Sequence, residues 1–138
     1  MVTESPYLFV YGTLRSGAAT PWAGFLSENA TLNGSGRVRG LVFQLNGYAG
    51  MIPSSNDADC VLGEVVCLSD PASALQLLDD YEGCGTADPA PHEFERRIIN
   101  VLMDDGRSLN AWAYVYCWDI SKGIPVRSGD FLRPHSAA

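Results

Sequence analysis

Tyr7-Leu8-Phe9-Val10-Tyr11-Gly12-Thr13-Leu14-Arg15-Ser16-Gly17 is an apolar, aromatic-rich run that stops at a glycine and turns into a short polar loop. The first five residues have strand character. At Gly12 the absence of a Cβ lets the backbone approach a ligand closely and point successive N–H groups outward. A loop of this kind can hold a carboxylate or a developing oxyanion without any cationic side chain. Many strands simply end at a glycine, so the pattern gains its meaning from a second segment, Leu75 to Gly83.

Outward from this run the chain reads mostly as strands. Val38–Leu45 alternates, with Leu41, Phe43 and Leu45 on one face. Asn46-Gly47 is a tight-turn dipeptide that predicts a hairpin into Tyr48–Ile52, ahead of Pro53. Val61–Leu68 is apolar enough to be buried on both faces. His92–Met103 and Ser108–Trp118 are long strands joined by Asp104-Asp105-Gly106, a hairpin signal. Helical pattern is scarce: Pro21–Leu26 reads as a short helix and Pro71–Glu82 as a full one. Ser121 onward reads as extended, with a frayed tail at His135–Ala138. Gly34-Ser35-Gly36 reads as a turn. Antiparallel strands around one good helix predict an α+β fold with a strongly curled sheet or small barrel.

Composition bounds what such a fold can do. A chain of 138 residues fits one domain and can bury roughly 68–70% of its unfolded surface. With 46% hydrophobic and 18% charged residues it reads as a globular domain. It contains no apolar run near the ~20 residues that span a membrane. Met1–Pro6 lacks the basic and apolar regions of a signal peptide. The net charge of −7 argues against a nucleic-acid partner, whose phosphates must be neutralised by Lys and Arg. Cys60, Cys67, Cys84 and Cys117 form no C-x-x-C pair, and Cys67 and Cys117 lie in apolar runs. Buried free thiols in a reducing cytoplasm follow from that pattern, rather than disulfides or zinc. His92 and His135 have no carboxylate or cysteine at ligand spacing, so neither a metal nor a cofactor is implied. The glycine loop lacks the lysine of a P-loop.

The second segment begins with Asp70 as a natural N-cap and Pro71 at the first helical position, and Gly83 is a natural terminator. Leu75, Leu78 and Glu82 are spaced i, i+3, i+7 and share one face, whereas Gln76 and Asp80 fall on the polar face. Glu82 therefore lies on the apolar stripe and in the last helical turn, where the macrodipole disfavours an anion. Asp79 and Asp80 add like charge. All three influences favour the protonated acid, which suits a general base working near neutral pH. The competing reading is a Glu82 that rotates into solvent at a frayed helix end.

Tyr11-Gly12-Thr13-Leu14-Arg15 behind an apolar strand resembles the signature of the γ-glutamylcyclotransferase-like family. Leu78-Asp79-Asp80-Tyr81-Glu82-Gly83 resembles the segment carrying that family's catalytic glutamate, and Gly63-Glu64-Val65 its preceding strand. Arg96–Val101 and Ala111-Trp112-Ala113-Tyr114 resemble its later strands, and Ser128-Gly129-Asp130 its C-terminal landmark. The similarity runs from about Tyr7 to Asp130, within a single domain spanning 1–138. Phe94 departs from the pattern, because many members carry tyrosine there. The resemblance implies a small mixed, mostly antiparallel β-barrel flanked by short helices, with its pocket between the Tyr-Gly loop and the glutamate.

It also implies conversion of a γ-glutamyl amine or peptide to 5-oxoproline and a free amine. Such a substrate carries its own nucleophile, the α-amino group, so no metal or covalent nucleophile is needed. Glu82 would be the catalytic acid/base. Tyr11, Gly12, Thr13, Leu14, Arg15 and Tyr114 would line the substrate site. Arg15 reads equally as a brace for the pocket or as a solvated loop residue. Tyr114 and Tyr116 share a face as packing residues, with Tyr114 also fitting a pocket wall; Tyr81 reads as packing. The alternative is a non-catalytic small-molecule binding domain on the same scaffold. Retention of Glu82 with Gly12 favours catalysis, since a binder has no use for a carboxylate on an apolar stripe. Neither the leaving amine nor the oligomeric state is written in the sequence.

Overall fold

The computed structural model describes residues 5–12, 28–45, 48–56, 58–82, 92–121, 123–126 and 129, with residues 81 and 82 described by backbone alone. The opening run forms β1 (Tyr7–Val10), and its period-two alternation fills two layers at once. Phe9 and Tyr11 join an interior cluster with Val61, Val65, Val101, Ala111, Ala113 and Val115. Leu8 and Val10 point the other way, into a cluster with Leu75, Leu78, Phe94, Tyr114 and Tyr116. A strand covered on both faces must be apolar at every position, which is why this run does not alternate with polar residues.

Among the described residues β1 is followed by β2 (Ala30–Val38), β3 (Gly40–Gln44), β4 (Ala49–Pro53), β5 (Val61–Leu68), α1 (Pro71–Glu82), β6 (Phe94–Met103), β7 (Ser108–Tyr116) and β8 (Ile124–Pro125). Five strands close into a barrel in the order β1-β5-β2-β6-β7. The four successive pairings in that order are antiparallel, and the parallel pair of β1 with β7, Leu8 opposite Trp112, closes the ring. A three-stranded sheet, β4-β3-β8, supplies Val42, Ala49 and Met51 to the barrel interior. The α+β barrel expected from the sequence is thus present, with α1 packed on its outer wall.

α1 starts as its residues dictate. The amide of Ser73 donates to Asp70 Oδ1 at 3.4 Å, and that of Ala74 donates to the Asp70 carbonyl at 2.9 Å. Ala74, Leu75 and Leu78 are buried, while Gln76 and Asp80 are exposed. The direction of α1 matters for the site. β5 ends at Leu68, whose amide donates to the Pro6 carbonyl at 2.9 Å, beside the start of β1. The chain then reverses, so α1 runs along the barrel in the same sense as β1. Its 12 residues cover roughly 18 Å. That carries its last turn toward the end of the barrel where β1 delivers Tyr11 and Gly12.

The structure corrects several local expectations. Gly34-Ser35-Gly36 is not a turn but lies within β2, which pairs with β5 on one side and β6 on the other. Its glycines serve close strand approach, since a Cβ at Gly36 would sit 2.8 Å from Val101 Cγ1 and 3.0 Å from the Leu102 carbonyl oxygen. Val38–Leu45 is not one strand: Val38 ends β2, and β3 starts at Gly40 with Val42 inward and Leu41 exposed on the opposite face. Cys67 is half-buried and Cys117 exposed, because each points away from the interior its apolar neighbours fill. Both hairpins are as expected, with Gln44 opposite Ala49 and Leu102 opposite Ser108. Pro21–Leu26, Asn46-Gly47, Cys84, His135 and the tail lie outside the described residues.

Gly63 in β5 faces the carbonyl of Val10 and the ring of Phe9, with an added Cβ falling 2.7 Å from Phe9 Cζ. Replacing it must push β1 off β5. Gly63→Ala is expected to cost about 1–3 kcal/mol in urea unfolding, and unchanged stability would show that the two strands separate freely.

Candidate active site

At the end of β1 the Tyr11 hydroxyl lies in the interior and makes two hydrogen bonds. It donates to the Tyr114 carbonyl in β7 at 2.6 Å and accepts from the Met51 amide in β4 at 3.2 Å. Gly12, the next residue, is buried. Thr13, Leu14 and Arg15 lie outside the described residues. Tyr114 is 3% exposed, and its own hydroxyl donates to Asp79 Oδ1 at 2.8 Å. Glu82 is the final residue of α1, and its side chain, like that of Tyr81, lies outside the description. The structure therefore links Tyr11, Tyr114 and the last turn of α1 through one chain of contacts.

Asp79 is the centre of that chain, and its partners were not foreseen. Arg96 Nε and Nη2 donate to its two carboxylate oxygens at 2.8 and 3.1 Å. The guanidinium also lies 4.2 Å from the centroid of the Trp112 ring. Trp112 in turn donates its indole N–H to the Ser5 carbonyl at 3.0 Å. Asp79 is thus no added like charge beside Glu82, as the sequence suggested, because Arg96 compensates it. A signal existed: Arg96 has the same parity in β6 as Phe94, so it faces α1, and Asp79 adjoins Leu78 on the border of the apolar stripe.

Around the same end of the barrel, Tyr48 donates its hydroxyl to the Glu93 carboxylate. Phe94 stacks edge-on against Tyr116, with centroids 5.3 Å apart, and lies 6.2 Å from the ring of Tyr48. Burial, reinforced by Glu93 and Asp119, pushes the Tyr116 phenol up, so it remains a proton donor. Phe94 is 4% exposed, and a hydroxyl there would need a partner in this aromatic packing. His92 belongs to no group of three or more metal-ligating side chains among the described residues.

A cavity of about 730 Å³ opens elsewhere, bordered by Arg37, Arg39, Cys60 and Asn100 over a floor of Met51 and Val115. It forms where β2 and β6 part after pairing only at Gly36–Met103 and Arg37–Leu102. None of the described candidate site residues, Tyr11, Gly12 and Tyr114, is among those that line it. Burial pushes the Cys60 thiol up, partly offset by Arg37; burial and then Glu95 push Cys117 up. Neither thiol is an activated nucleophile.

The five-stranded mixed barrel flanked by α1 belongs to a fold class seen in solved structures. An uncharacterized protein of Pyrococcus horikoshii superposes with a TM-score of 0.63 at 21% identity, over 92% of this chain and 90% of that one. An AIG2-like protein of Mus musculus gives 0.62 at 23% identity, over 83% and 79%. A structure titled gamma-glutamyl cyclotransferase gives 0.60 at 20% identity, over 83% and 68%. Residues 8–133 match the family described as "Gamma-glutamyl cyclotransferase, AIG2-like", and the chain belongs to it. A Methanocaldococcus jannaschii protein bearing the name "Putative gamma-glutamylcyclotransferase" is 28% identical over 130 residues, 91% of this chain and 94% of its own length. No helix among the described residues is long and apolar enough to cross a membrane.

Two measurements follow from this geometry. Tyr11→Phe removes both bonds of a buried hydroxyl, to the Tyr114 carbonyl and from the Met51 amide, and is expected to destabilise by about 1–3 kcal/mol in urea unfolding; a silent substitution would mean neither bond contributes. With both thiols held above the usual range, alkylation of the exposed Cys117 by iodoacetamide is expected to be slow at pH 7 and to accelerate continuously above pH 9. A rate already at its plateau at pH 7 would reveal a stabilised thiolate.

Proposed function

We propose that this chain is a cyclotransferase that converts a γ-glutamyl amine or γ-glutamyl peptide to 5-oxoproline and a free amine. The observation that carries the reading is the parallel course of β1 and α1. It brings the Tyr11-Gly12 strand end and the turn ending in Glu82 to the same end of the barrel, joined through Tyr114 and Asp79. Membership of the family supports the reaction class.

In this reading the substrate's α-ammonium gives a proton to Glu82, and the freed amine attacks the side-chain carbonyl. A bond forms from nitrogen to the carbonyl carbon and closes a five-membered ring. The amide C–N bond then breaks, Glu82 returns its proton to the departing amine, and the second proton shed by the ring nitrogen passes to the same amine, which leaves as an ammonium. The N–H groups of Gly12, Thr13 and Leu14 bind the substrate carboxylate or the oxyanion, an interaction worth ~2.7–4 kcal/mol per well-placed donor. Arg15 braces that loop, and Tyr114 backs the pocket wall. Ring-closing geometry held in place supplies roughly 7–11 kcal/mol of the barrier. This reading gives Glu82 the role of a carboxyl that must both take and give a proton.

The test is release of 5-oxoproline, followed by mass spectrometry across a panel of γ-glutamyl amines and dipeptides. Glu82→Gln is expected to lower turnover about 10²–10⁴-fold while leaving the melting temperature equal or higher. Because the base must be deprotonated, kcat/KM should fall with decreasing pH as Glu82 takes up its proton. That acid limb should vanish in Glu82→Gln. Saturable binding of the panel without 5-oxoproline release would instead identify a binding domain.

A further inference from the structure

The contacts of Asp79 extend the cyclotransferase reading, on which this inference rests. We propose that Asp79, Arg96 and Tyr114 are positioning residues: together they fix the last turn of α1, and with it Glu82, relative to the Tyr11-Gly12 strand end.

The need for such a device follows from the helix itself. The final turn of an α-helix has carbonyls without intrahelical partners and frays readily. α1 carries no basic residue in that turn to offset its negative end. Arg96 supplies the cation from β6 instead, gripping Asp79 three residues before Glu82 with two hydrogen bonds. The fork is preorganised, because Trp112 covers one face of the guanidinium at 4.2 Å and is itself anchored to Ser5. Both members of the ion pair are largely screened from solvent, with side chains 23% and 19% exposed.

Tyr114 converts this grip into alignment. Its hydroxyl donates to Asp79 and its carbonyl accepts from Tyr11, so one residue spans from the last turn of α1 to the residue before Gly12. The hydroxyl is engaged by Asp79, which makes Tyr114 a spacer acting through its neighbours. Displacing a reacting group by about 1 Å can cost on the order of 10²-fold in rate. Loss of the spacer should therefore appear in kcat, while the binding loop and KM are left alone.

The experiment compares Asp79→Asn and Tyr114→Phe with the wild type by kcat, KM, melting temperature and amide hydrogen exchange of residues 78–82. The expected result is a fall in kcat of roughly 10–100-fold with KM within about two-fold. It should come with faster exchange in the last turn of α1 and unchanged protection in β5 and β7. Arg96→Lys keeps the charge but loses the planar fork and the stack, and should resemble Asp79→Asn rather than the wild type. Arg97→Gln, which breaks the exposed pair with Glu95, should change none of these readouts. Unchanged kcat and exchange, or a kcat that falls only as far as the folded fraction falls, overturns the proposal. Should Asp79→Asn fail to fold, Tyr114→Phe, which removes one oxygen, carries the same test. If the wild type releases no 5-oxoproline, the cyclotransferase reading fails by itself, and the exchange measurement alone decides whether the three residues hold the turn.

Discussion

Tyr11 Oη donates to the carbonyl of Tyr114 and accepts from the amide of Met51, and in doing so ties the closed barrel to the three-stranded sheet. A buried hydroxyl is tolerated only when its hydrogen-bonding capacity is met. Both partners are backbone groups, so the position of Tyr11 is set by two strands and not by a mobile side chain. The strand that ends there has its apolar residues divided between two packed layers. Shifting β1 by one residue would turn Phe9 outward and Leu8 inward, and would take the hydroxyl from both acceptor and donor. The glycine loop therefore leaves the barrel from a fixed point.

A second constraint acts from outside the barrel. The chain carries a net charge of −7, and its helix ends in an acidic turn. Leaving those carboxylates uncompensated against an apolar wall would favour unwinding of the turn. Arg96 resolves this with a bidentate contact, and the Trp112 ring holds the guanidinium in plane. Exposed ion pairs elsewhere, such as Arg107 with Asp105, join neighbouring residues of one hairpin and add little to stability. Packing of Leu75 and Leu78 holds the helix on the barrel; the ion pair decides how its end is presented.

The parts of the fold legible in the sequence were those governed by local pattern. The limits of β5 and α1, the N-cap at Asp70 and both hairpins followed from periodicity and turn chemistry. What escaped was set by contacts between distant segments. Gly34 and Gly36 look like a turn until β6 is seen pressing against β2. The barrel interior lies on the Val42 side of β3, which the local alternation does not specify. For the candidate site, Tyr11, Gly12 and Glu82 were legible as motifs on a strand end and a helix. The role of Asp79 was legible only in the parity that Arg96 shares with Phe94, since the closed barrel is what brings β6 and β7 against α1.

The parallel closure of β1 against β7 has a further consequence, in time. Tyr11 and its carbonyl partner are separated by 103 positions, and Ser5 and Trp112 by 107. At 5–20 residues per second of synthesis, roughly 5–20 s pass between the emergence of the first strand and that of its closing neighbour. β5 can cover one edge of β1 earlier, but the other edge remains open until the β6–β7 hairpin forms. For that interval the nascent chain displays Tyr-Leu-Phe-Val with unpaired backbone donors and acceptors, a template for strands of other chains. The strand that positions Tyr11 is thus also the one that exposes the growing polypeptide to aggregation until β7 closes the ring.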